Sequence, residues 1–300
     1  MRIAVTGREG QVARALAEIA QAEGVSVVFL ARPDVDLARP ETVWPALRDT
    51  DANAVINAAA YTAVDKAESE PDLAHAVNAV GAGAVAAAAA KLGLPVLHLS
   101  TDYVFDGASP RPYREDDATA PPGAYGRGKL LGEQAVAAAN PAHVILRTAW
   151  VYSPFGQNFV KTMLRLAATR DEIGVVADQR GCPTSALDIA RTLIAVARRV
   201  TAEGEGASRF HGIFHMTGQG EASWADVAEA IFSASAKRGG PVARVKRITT
   251  ADYPTPAKRP ANSRLDGGKL AETYGLTLPV WTASLETCVE RLLSEAADVT

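Results

Sequence analysis

The sequence has few aromatic residues, few cysteines and almost no excess of charge. Its 300 residues include two cysteines, and 31 basic residues stand against 34 acidic ones. Cys182 and Cys288 form no CxxC pair, which argues against a disulfide framework and fits a reducing compartment. Because the net charge is only −3, nucleic acid is not the expected partner.

Long apolar runs and metal-ligand patterns are also missing. The longest run of small apolar residues covers 82–90, well below the ~20 residues of a membrane-spanning helix. The short N-terminal apolar run reaches Arg8 and Glu9, which argues against a signal peptide. His211 and His215 lie in a strand-like segment, where this spacing does not build a metal site. We therefore expect a cytoplasmic protein with no membrane partner and no metal.

Strand-like and helix-like segments alternate through the first half of the chain, which predicts an α/β fold with a parallel sheet covered on both faces. We expect a Rossmann-type, doubly wound NAD(P)-binding domain in 1–220, with segments near 151–177 on the substrate side. A small C-terminal α/β substrate-binding cap is expected in 221–300. Predicted strands cover 2–6, 25–30, 54–57, 95–100, 144–148 and 242–248, and predicted helices cover 10–23, 36–49, 72–92, 129–140, 223–237 and 283–296.

The first strand-to-helix turn has the spacing of a dinucleotide site. Gly7 and Gly10 stand in a G-x-x-G-x-x-A pattern that ends at Ala13. Glycine lets backbone amides approach a pyrophosphate, and the start of the following helix adds partial positive charge. The turn is therefore predicted to bind the cofactor.

The end of the second strand indicates which cofactor binds. An acid at this position bonds the ribose 2′-hydroxyl of NAD, whereas a nearby arginine accommodates the 2′-phosphate of NADP. Here Leu30 and Ala31 are followed at once by Arg32, and Asp34 and Asp36 come later, where they would face the adenine side. We predict NADPH, with NADH as the alternative.

Tyr125 and Lys129 are spaced so that they share one face of a helix. A nearby ammonium stabilises a phenolate and brings its pKa towards the working range of an acid–base catalyst. Ser100 and Thr101 end a buried strand, at the sheet edge where ligands of open α/β sheets bind. A hydroxyl there can hold a carbonyl oxygen beside the tyrosine.

Together with these residues, several further motifs resemble the dTDP-4-dehydrorhamnose reductase family, in the extended branch of the short-chain dehydrogenase/reductase superfamily. The resemblance spans nearly the whole chain. The motifs are N-A-A-A-Y-T-A-V-D-K-A-E-S-E-P (57–71), L-S-T-D-Y-V-F-D-G (99–107), Y-G-x-x-K (125–129), R-T-A-W-V-Y (147–152), N-F-V-K-T-M-L (158–164), D-Q-x-G-x-P-T (178–184) and Y-P-T-P-A-x-R-P-x-N-S-R-L (253–265).

The resemblance implies hydride transfer from NAD(P)H to C4 of dTDP-4-dehydro-β-L-rhamnose, giving dTDP-L-rhamnose. Tyr125 would donate the proton, Lys129 would bond the nicotinamide ribose and tune Tyr125, and Thr101 would orient the keto oxygen. The remaining implied contacts are Gly10, Gln11 and Val12 under the pyrophosphate, Asp36, Leu37, Ala60, Tyr61 and Thr62 along the cofactor, and Asp102, Trp150, Asn158 and Arg259 on the substrate, with Arg259 at its phosphates.

Several of these side chains also allow a plainer interpretation. Trp150 would pack in the core, Arg32 would be a solvated loop residue, and Asn78 would either support a proton relay or only bend its helix. Asp65, Lys66 and Glu68 would form a solvated charged face.

The chain departs from the family at a dimer interface. Some members are dimers joined through a metal held by glutamates, but Ala15 and Leu187 stand at two of the matching positions. Glu295 remains, and one carboxylate does not hold a metal alone. We expect a monomer or a homodimer with a different interface.

Two alternatives stay open. A nucleotide-sugar epimerase or dehydratase of the same superfamily would recycle its hydride, but the Asp-Glu pair of dehydratases is missing after Thr101, because Tyr103 follows Asp102. A non-catalytic NADP-binding regulatory subunit, of the kind that serves methionine adenosyltransferase, would not need a tuned phenol.

Overall fold

The computed structural model of the chain describes residues 1–202 and 208–297. Its main sheet has six parallel strands in the order β10-β5-β4-β3-β1-β2. The strands are β1 (Arg2–Thr6), β2 (Ser26–Leu30), β3 (Ala54–Asn57), β4 (Val96–Thr101), β5 (His143–Thr148), β6 (Val151–Tyr152), β7 (Glu172–Val176), β8 (Arg180–Gly181), β9 (Thr184–Ser185), β10 (Gly212–His215), β11 (Ala222–Ser223), β12 (Arg244–Ile248) and β13 (Asn262–Ser263).

Helices cover both faces of this sheet, as the alternation of segments predicts. Along β1, Ile3 and Val5 join one apolar cluster, whereas Ala4 joins the cluster on the other face. The helices are α1 (Gln11–Ala22), α2 (Val43–Leu47), α3 (Val64–Ala67), α4 (Pro71–His75), α5 (Ala82–Lys91), α6 (Ala124–Ala139), α7 (Phe159–Ala167), α8 (Ala186–Ala202), α9 (Trp224–Ala236), α10 (Gly268–Tyr274) and α11 (Trp281–Ala297). The first cluster contains α1 and α8, and the second contains α5 and α6.

A third apolar cluster lies away from the main sheet. It joins Tyr152 and helix α7 to helices α9 and α11, and strand β7 pairs in parallel with β12. Helix α10 packs on the main sheet instead, because Leu270 and Tyr274 belong to the first cluster. The division into 1–220 and 221–300 stays a prediction, and residues 298–300 of the predicted cap lie outside the described residues.

Two helices differ from their predicted bounds by several residues. The predicted helix 36–49 shrinks to a 3₁₀ turn, Pro40–Thr42, and the short α2, because the Asp36 carboxylate accepts from the Ala38 amide (3.0 Å) and the Thr42 hydroxyl accepts from the Asp36 amide (3.1 Å). Helix α6 begins at Ala124, ahead of the predicted start at Lys129. This earlier start places Tyr125 on the helix itself.

The predicted helix 72–92 is a continuous helical stretch, Pro71–Lys91, with a π-helical turn over Ala76–Gly81. By length and mean hydropathy (1.5) this stretch would suit a membrane span, but half of it is buried in the fold. A buried core helix has the same properties, so the stretch is weak evidence for a membrane.

Candidate active site

The two predicted acid–base residues lie on the first turns of α6. A distant side chain fixes the start of this helix, because Glu68 Oε1 accepts a hydrogen bond from the Ala124 amide (2.7 Å). Lys129 is only 3% exposed, and its Nζ donates to the Leu99 carbonyl oxygen on β4 (2.6 Å). Tyr125 is partly exposed and packs edge-to-face on Tyr103, with ring centroids 5.5 Å apart.

The surroundings of these two groups shift their pKa values in opposite directions. Burial raises the pKa of Tyr125, the charge of Asp102 raises it further, and the Thr101 hydroxyl opposes the shift. Burial lowers the pKa of Lys129 to about 8, against the nearby charge of Glu133. The expectation that Lys129 brings the pKa of Tyr125 down towards neutral pH is therefore wrong for this structure, because burial and the charge of Asp102 raise it. The phenol is protonated at neutral pH, as an unshifted tyrosine also is.

Thr101 and Asp102 stand beside the phenol at the end of β4. The Thr101 hydroxyl donates to Asp102 Oδ1 (3.0 Å), and Asp102 Oδ2 is buried without a hydrogen-bond partner among the described residues. Burial raises the pKa of Asp102 to about 6. An open carboxylate oxygen of this kind suits a hydroxyl group of a ligand, since a buried acceptor is costly when unpaired.

Thr148 is a candidate that the sequence did not reveal. The register of β4 and β5 pairs it with Thr101, so both side chains lie on the same face of the sheet. Its hydroxyl is buried and has no hydrogen-bond partner in the described part of the chain. The signals available were its place at the end of a predicted strand and its position in the R-T-A-W-V-Y motif, neither of which indicates an open hydroxyl.

Trp150 packs against two apolar clusters and stays partly exposed. Its backbone has a φ of +49°, which is uncommon for a bulky residue and marks strain held by the surrounding fold. The indole is partly exposed and stacks on Trp224, with ring centroids 3.7 Å apart. A Cβ at Gly181 would lie 2.4 Å from this indole, so the glycine makes room for it.

Arg259 and Asp65 connect the C-terminal part of the chain to the predicted cofactor segment. Arg259 Nη2 donates to Asp65 Oδ2 (2.7 Å), and the Ala257 amide donates to Asp65 Oδ1 (3.1 Å). Burial raises the pKa of the Tyr103 phenol to about 12, and its interaction with Arg259 opposes this shift. Its Nη1 is buried without a hydrogen-bond partner among the described residues. Asp65 is bonded to Arg259, and Glu68 caps the start of α6. Two of the three charged side chains that were expected to form a solvated face therefore have partners within the fold.

The glycine turn fits a pyrophosphate. Gly7 has a φ of +81°, its amide donates to the Leu30 carbonyl (2.8 Å), and a Cβ there would lie 3.3 Å from Ala59 Cβ. Gly10 precedes α1 and provides no side-chain cap, so the first-turn amides of Gln11 and Val12 have no side-chain partner at the N-cap. Free amides at the start of a helix are ready donors for an anion.

The segment Ala60–Thr62 is held against the π-helical turn. Asn78 is buried, its Oδ1 accepts from the Tyr61 amide (2.8 Å), and its Nδ2 donates to the Tyr61 carbonyl (3.0 Å). Asn78 therefore fixes the backbone of the predicted cofactor segment. π-turns of this kind often occur at functional sites.

Beneath this segment lies a second polar chain that the sequence did not reveal. Thr6 donates to Asn57 Oδ1 (2.6 Å) and accepts from the Ala59 amide (3.1 Å), while the Asn57 amide contacts His98 Nδ1 (2.9 Å). These bonds join β1, β3 and β4 below the cofactor turn.

Gln11 at the start of α1 and Asn158 at the N-cap of α7 are hydrogen-bonded to each other. Gln11 Oε1 accepts from Asn158 Nδ2 (3.0 Å) and from the Ser153 hydroxyl (2.8 Å), and Asn158 also caps α7 through the Lys161 amide (3.3 Å). The predicted pyrophosphate turn is thus bonded directly to the segment predicted on the substrate side.

The three predicted residues at the adenine end are less closely connected. Arg32 is exposed at the end of β2. Asp36 bonds within its own loop and lies 3.8 Å from Arg39 Nε, and Leu37 is buried with its carbonyl against Gly81, where a Cβ would lie 2.4 Å away. The Arg32 guanidinium is thus exposed at this strand end, where a ligand could reach its charge.

Comparison with known proteins shows the family to which the chain belongs. A family model described as the RmlD substrate binding domain matches residues 1–294. A dTDP-4-dehydrorhamnose reductase from Sinorhizobium fredii is 55% identical and covers 99% of this chain and 100% of its own length. The chain belongs to this reductase family.

Solved structures of the reductase family have the same fold. A dTDP-4-dehydrorhamnose reductase from Clostridium acetobutylicum has a TM-score of 0.89 at 40% identity, covering 98% of this chain and 100% of its own. The enzyme from Bacillus anthracis, crystallised in complex with NADP, has a TM-score of 0.88 at 34% identity, covering 97% and 99%. The Rossmann-type fold predicted from the sequence is confirmed.

Glu295, the carboxylate that remains at the predicted dimer interface, is paired within the chain. Arg291 Nη1 lies 2.8 Å from Glu18 Oε2, and Arg291 Nε lies 2.8 Å from Glu295 Oε1. Glu295 is therefore paired with a cation of the chain itself. The absence of a metal-bridged dimer stays a prediction.

Proposed function

We propose that this chain reduces the C4 keto group of dTDP-4-dehydro-β-L-rhamnose with NADPH, giving dTDP-L-rhamnose. The carrying observation is that the Tyr125 phenol lies beside the Thr101 hydroxyl at the carboxyl edge of the sheet, on the other side of β3 from the glycine turn. Lys129 follows one helical turn later, with its Nζ on the Leu99 carbonyl of the same strand as Thr101. Membership of the reductase family supports the same substrate and cofactor. A nucleotide-sugar epimerase would return its hydride, so stoichiometric NADPH consumption separates the two reactions.

Bound NADPH supplies the hydride that adds to C4, and NADP⁺ remains. As the carbonyl bond becomes an alkoxide, Tyr125 gives its phenolic proton to the oxygen, with the Thr101 hydroxyl holding that oxygen in place. Tyr125 is protonated at neutral pH, so it has a proton to give as charge develops on the substrate oxygen. The products are a C4 alcohol and a tyrosinate that takes up a proton from water.

Lys129 has two roles in this proposal. An ammonium has three N–H donors, and the one that bonds Leu99 leaves others for the hydroxyls of the nicotinamide ribose. After proton transfer, its positive charge stabilises the tyrosinate.

Asp102, Trp150, Asn158 and Arg259 are proposed to bind the sugar nucleotide. The open Oδ2 of Asp102 would accept from a sugar hydroxyl, and the partly exposed Trp150 would pack on the ring. The unpartnered Nη1 of Arg259 would donate to a phosphate oxygen, since guanidinium geometry suits phosphate. The segments around α7, α9 and α11 would close over the substrate as a cap.

We place the reaction in the cytoplasm, because the two buried cysteines are free thiols. The chain would act as a monomer or as a homodimer without a bridging metal. No nucleic acid or membrane takes part in the proposed reaction.

Arg32→Ala is expected to lower the preference for NADPH over NADH by roughly 10- to 100-fold, since hydrogen bonds to charged groups contribute about 1.5–3 kcal/mol. The measurement is the ratio of kcat/KM for the two cofactors. Arg39→Ala, in the same loop but paired with Asp36, is the matched control and should keep the wild-type ratio. An unchanged ratio in Arg32→Ala would remove the assigned 2′-phosphate contact.

A further inference from the structure

A buried ion pair lies directly behind the proposed catalytic residues. Arg147 on β5 donates from Nε to Glu133 Oε1 (2.8 Å) and from Nη2 to Glu133 Oε2 (2.7 Å). The two side chains are only 2% and 3% exposed. Ser100 on β4 donates to the same carboxylate, with Oγ 2.5 Å from Oε1. Three elements of the fold therefore meet at one carboxylate.

Stability alone does not account for this arrangement. Desolvating two charges is costly, and well-packed apolar residues in place of a buried pair are often as stable or more stable. The positions of the three residues suggest another purpose. Ser100 precedes Thr101, Glu133 follows Lys129 by one turn of α6, and Arg147 precedes Thr148. Each of the three residues is therefore next in sequence to a residue of the proposed site, or one helical turn away from one.

The charge of Glu133 also acts on Lys129. Burial lowers the pKa of Lys129 to about 8, and the carboxylate of Glu133 opposes this shift. The other ionisable groups near this network are His98 on β4, whose pKa burial lowers well below its usual range, and His215 on β10, whose pKa burial and Arg147 lower to about 3. Both histidines are therefore neutral. At the active-site end lie Tyr125 on α6 and, in the turn after β4, Asp102 and Tyr103.

We propose that Glu133 and Arg147 are positioning residues for the reduction: together with Ser100 they hold β4, α6 and β5 in register, so that Thr101, Tyr125 and Lys129 stay aligned and Lys129 stays charged. The inference rests on the proposed function for the reaction that it serves. Both side chains are buried behind the residues proposed to bind substrate and cofactor. A displacement of about 1 Å at a reacting group can cost ~10²-fold in rate, which makes such a support consequential.

The first test is Glu133→Gln, which keeps the shape of the side chain and removes its charge. Without the carboxylate the pKa of Lys129 falls further, so the alkaline loss of NADPH binding should begin at a lower pH than in the wild type. We expect kcat to fall by ~10- to 100-fold, with a much smaller change in KM for the sugar nucleotide. NADPH binding is followed by fluorescence across pH without sugar nucleotide, and kcat and KM are followed by NADPH oxidation.

Two further variants separate positioning from folding. Glu133→Met combined with Arg147→Met replaces the pair by apolar side chains and should fold even if Glu133→Gln does not. This double variant should still show the lower kcat, and it should lose NADPH binding at the same lower pH as Glu133→Gln. Asp188→Asn is the matched control. Asp188 is a buried carboxylate that pairs with Arg191 and accepts from Ser284, away from the site, so its loss should affect thermal stability but not the pH profile.

The inference would be overturned if Glu133→Gln or the double-methionine variant kept both the wild-type kcat and the wild-type pH dependence of NADPH binding. An identical kcat loss in Asp188→Asn would overturn it as well, because general destabilisation would then explain that loss. If the wild type binds NADPH but does not reduce the sugar nucleotide, the proposed function fails. The pH at which the variants lose NADPH binding still decides whether Glu133 keeps Lys129 charged.

Discussion

Tyr125→Phe is expected to lower kcat by ~10²–10⁴-fold, because a positioned general acid contributes a factor of this size. The variant loses one oxygen atom and keeps the ring that packs on Tyr103. NADPH affinity should therefore remain close to that of the wild type. The measurements are NADPH oxidation at saturating sugar nucleotide and NADPH binding by fluorescence.

Tyr113→Phe is the matched control for this change. Tyr113 is a buried phenol that donates to Asp106 and accepts from the Ser109 amide, outside the proposed site, and its loss should leave kcat nearly unchanged. Activity above a hundredth of wild type in Tyr125→Phe would contradict the assignment of Tyr125 as the acid. The proton would then come from another group at the site, with Asp102 as the nearest candidate.

Lys129→Ala is expected to weaken NADPH binding roughly 10- to 100-fold and to lower kcat as well. The loss of affinity follows from the charge-assisted bonds to the ribose, worth about 1.5–3 kcal/mol. The loss of rate follows from the missing positive charge beside the tyrosinate. Both quantities come from the same titrations of NADPH in binding and turnover experiments.

The control for Lys129 is Lys269→Ala. Lys269 also donates to a strand carbonyl, that of Ile213 (2.8 Å), but it is exposed and belongs to α10. It should keep the wild-type affinity and rate. If Lys129→Ala changed the rate alone, the ribose contact would be wrong, and the lysine would act only on the tyrosine.

The parts of the site that follow local patterns were predictable from the sequence. The glycine turn depends on Gly7 and Gly10 right after a strand, and the pairing of Tyr125 with Lys129 depends on helical spacing. The alternation of strands and helices predicted the parallel sheet, because the helices that connect parallel strands lie on the two faces of the sheet and cover them. The resemblance to the reductase family is confirmed over residues 1–294.

The contacts that were missed join residues far apart in the chain. Glu68 caps α6 from 56 positions away, and no local pattern announces such a cap. Asn78, Asp65 and Arg147 likewise owe their roles to partners on other elements. Hydrophobic periodicity describes which side of an element is buried, but it does not tell which polar side chains meet there.

The central claim is that the chain transfers a hydride from NADPH to C4 of the sugar nucleotide. It is tested most directly with NADPH deuterated at C4 of the nicotinamide, dTDP-4-dehydro-β-L-rhamnose, and NMR of the product. We predict one deuterium at C4 of dTDP-L-rhamnose for each NADPH oxidised. Deuterium at another carbon, or a rearranged sugar without NADPH consumption, would contradict the proposed reaction.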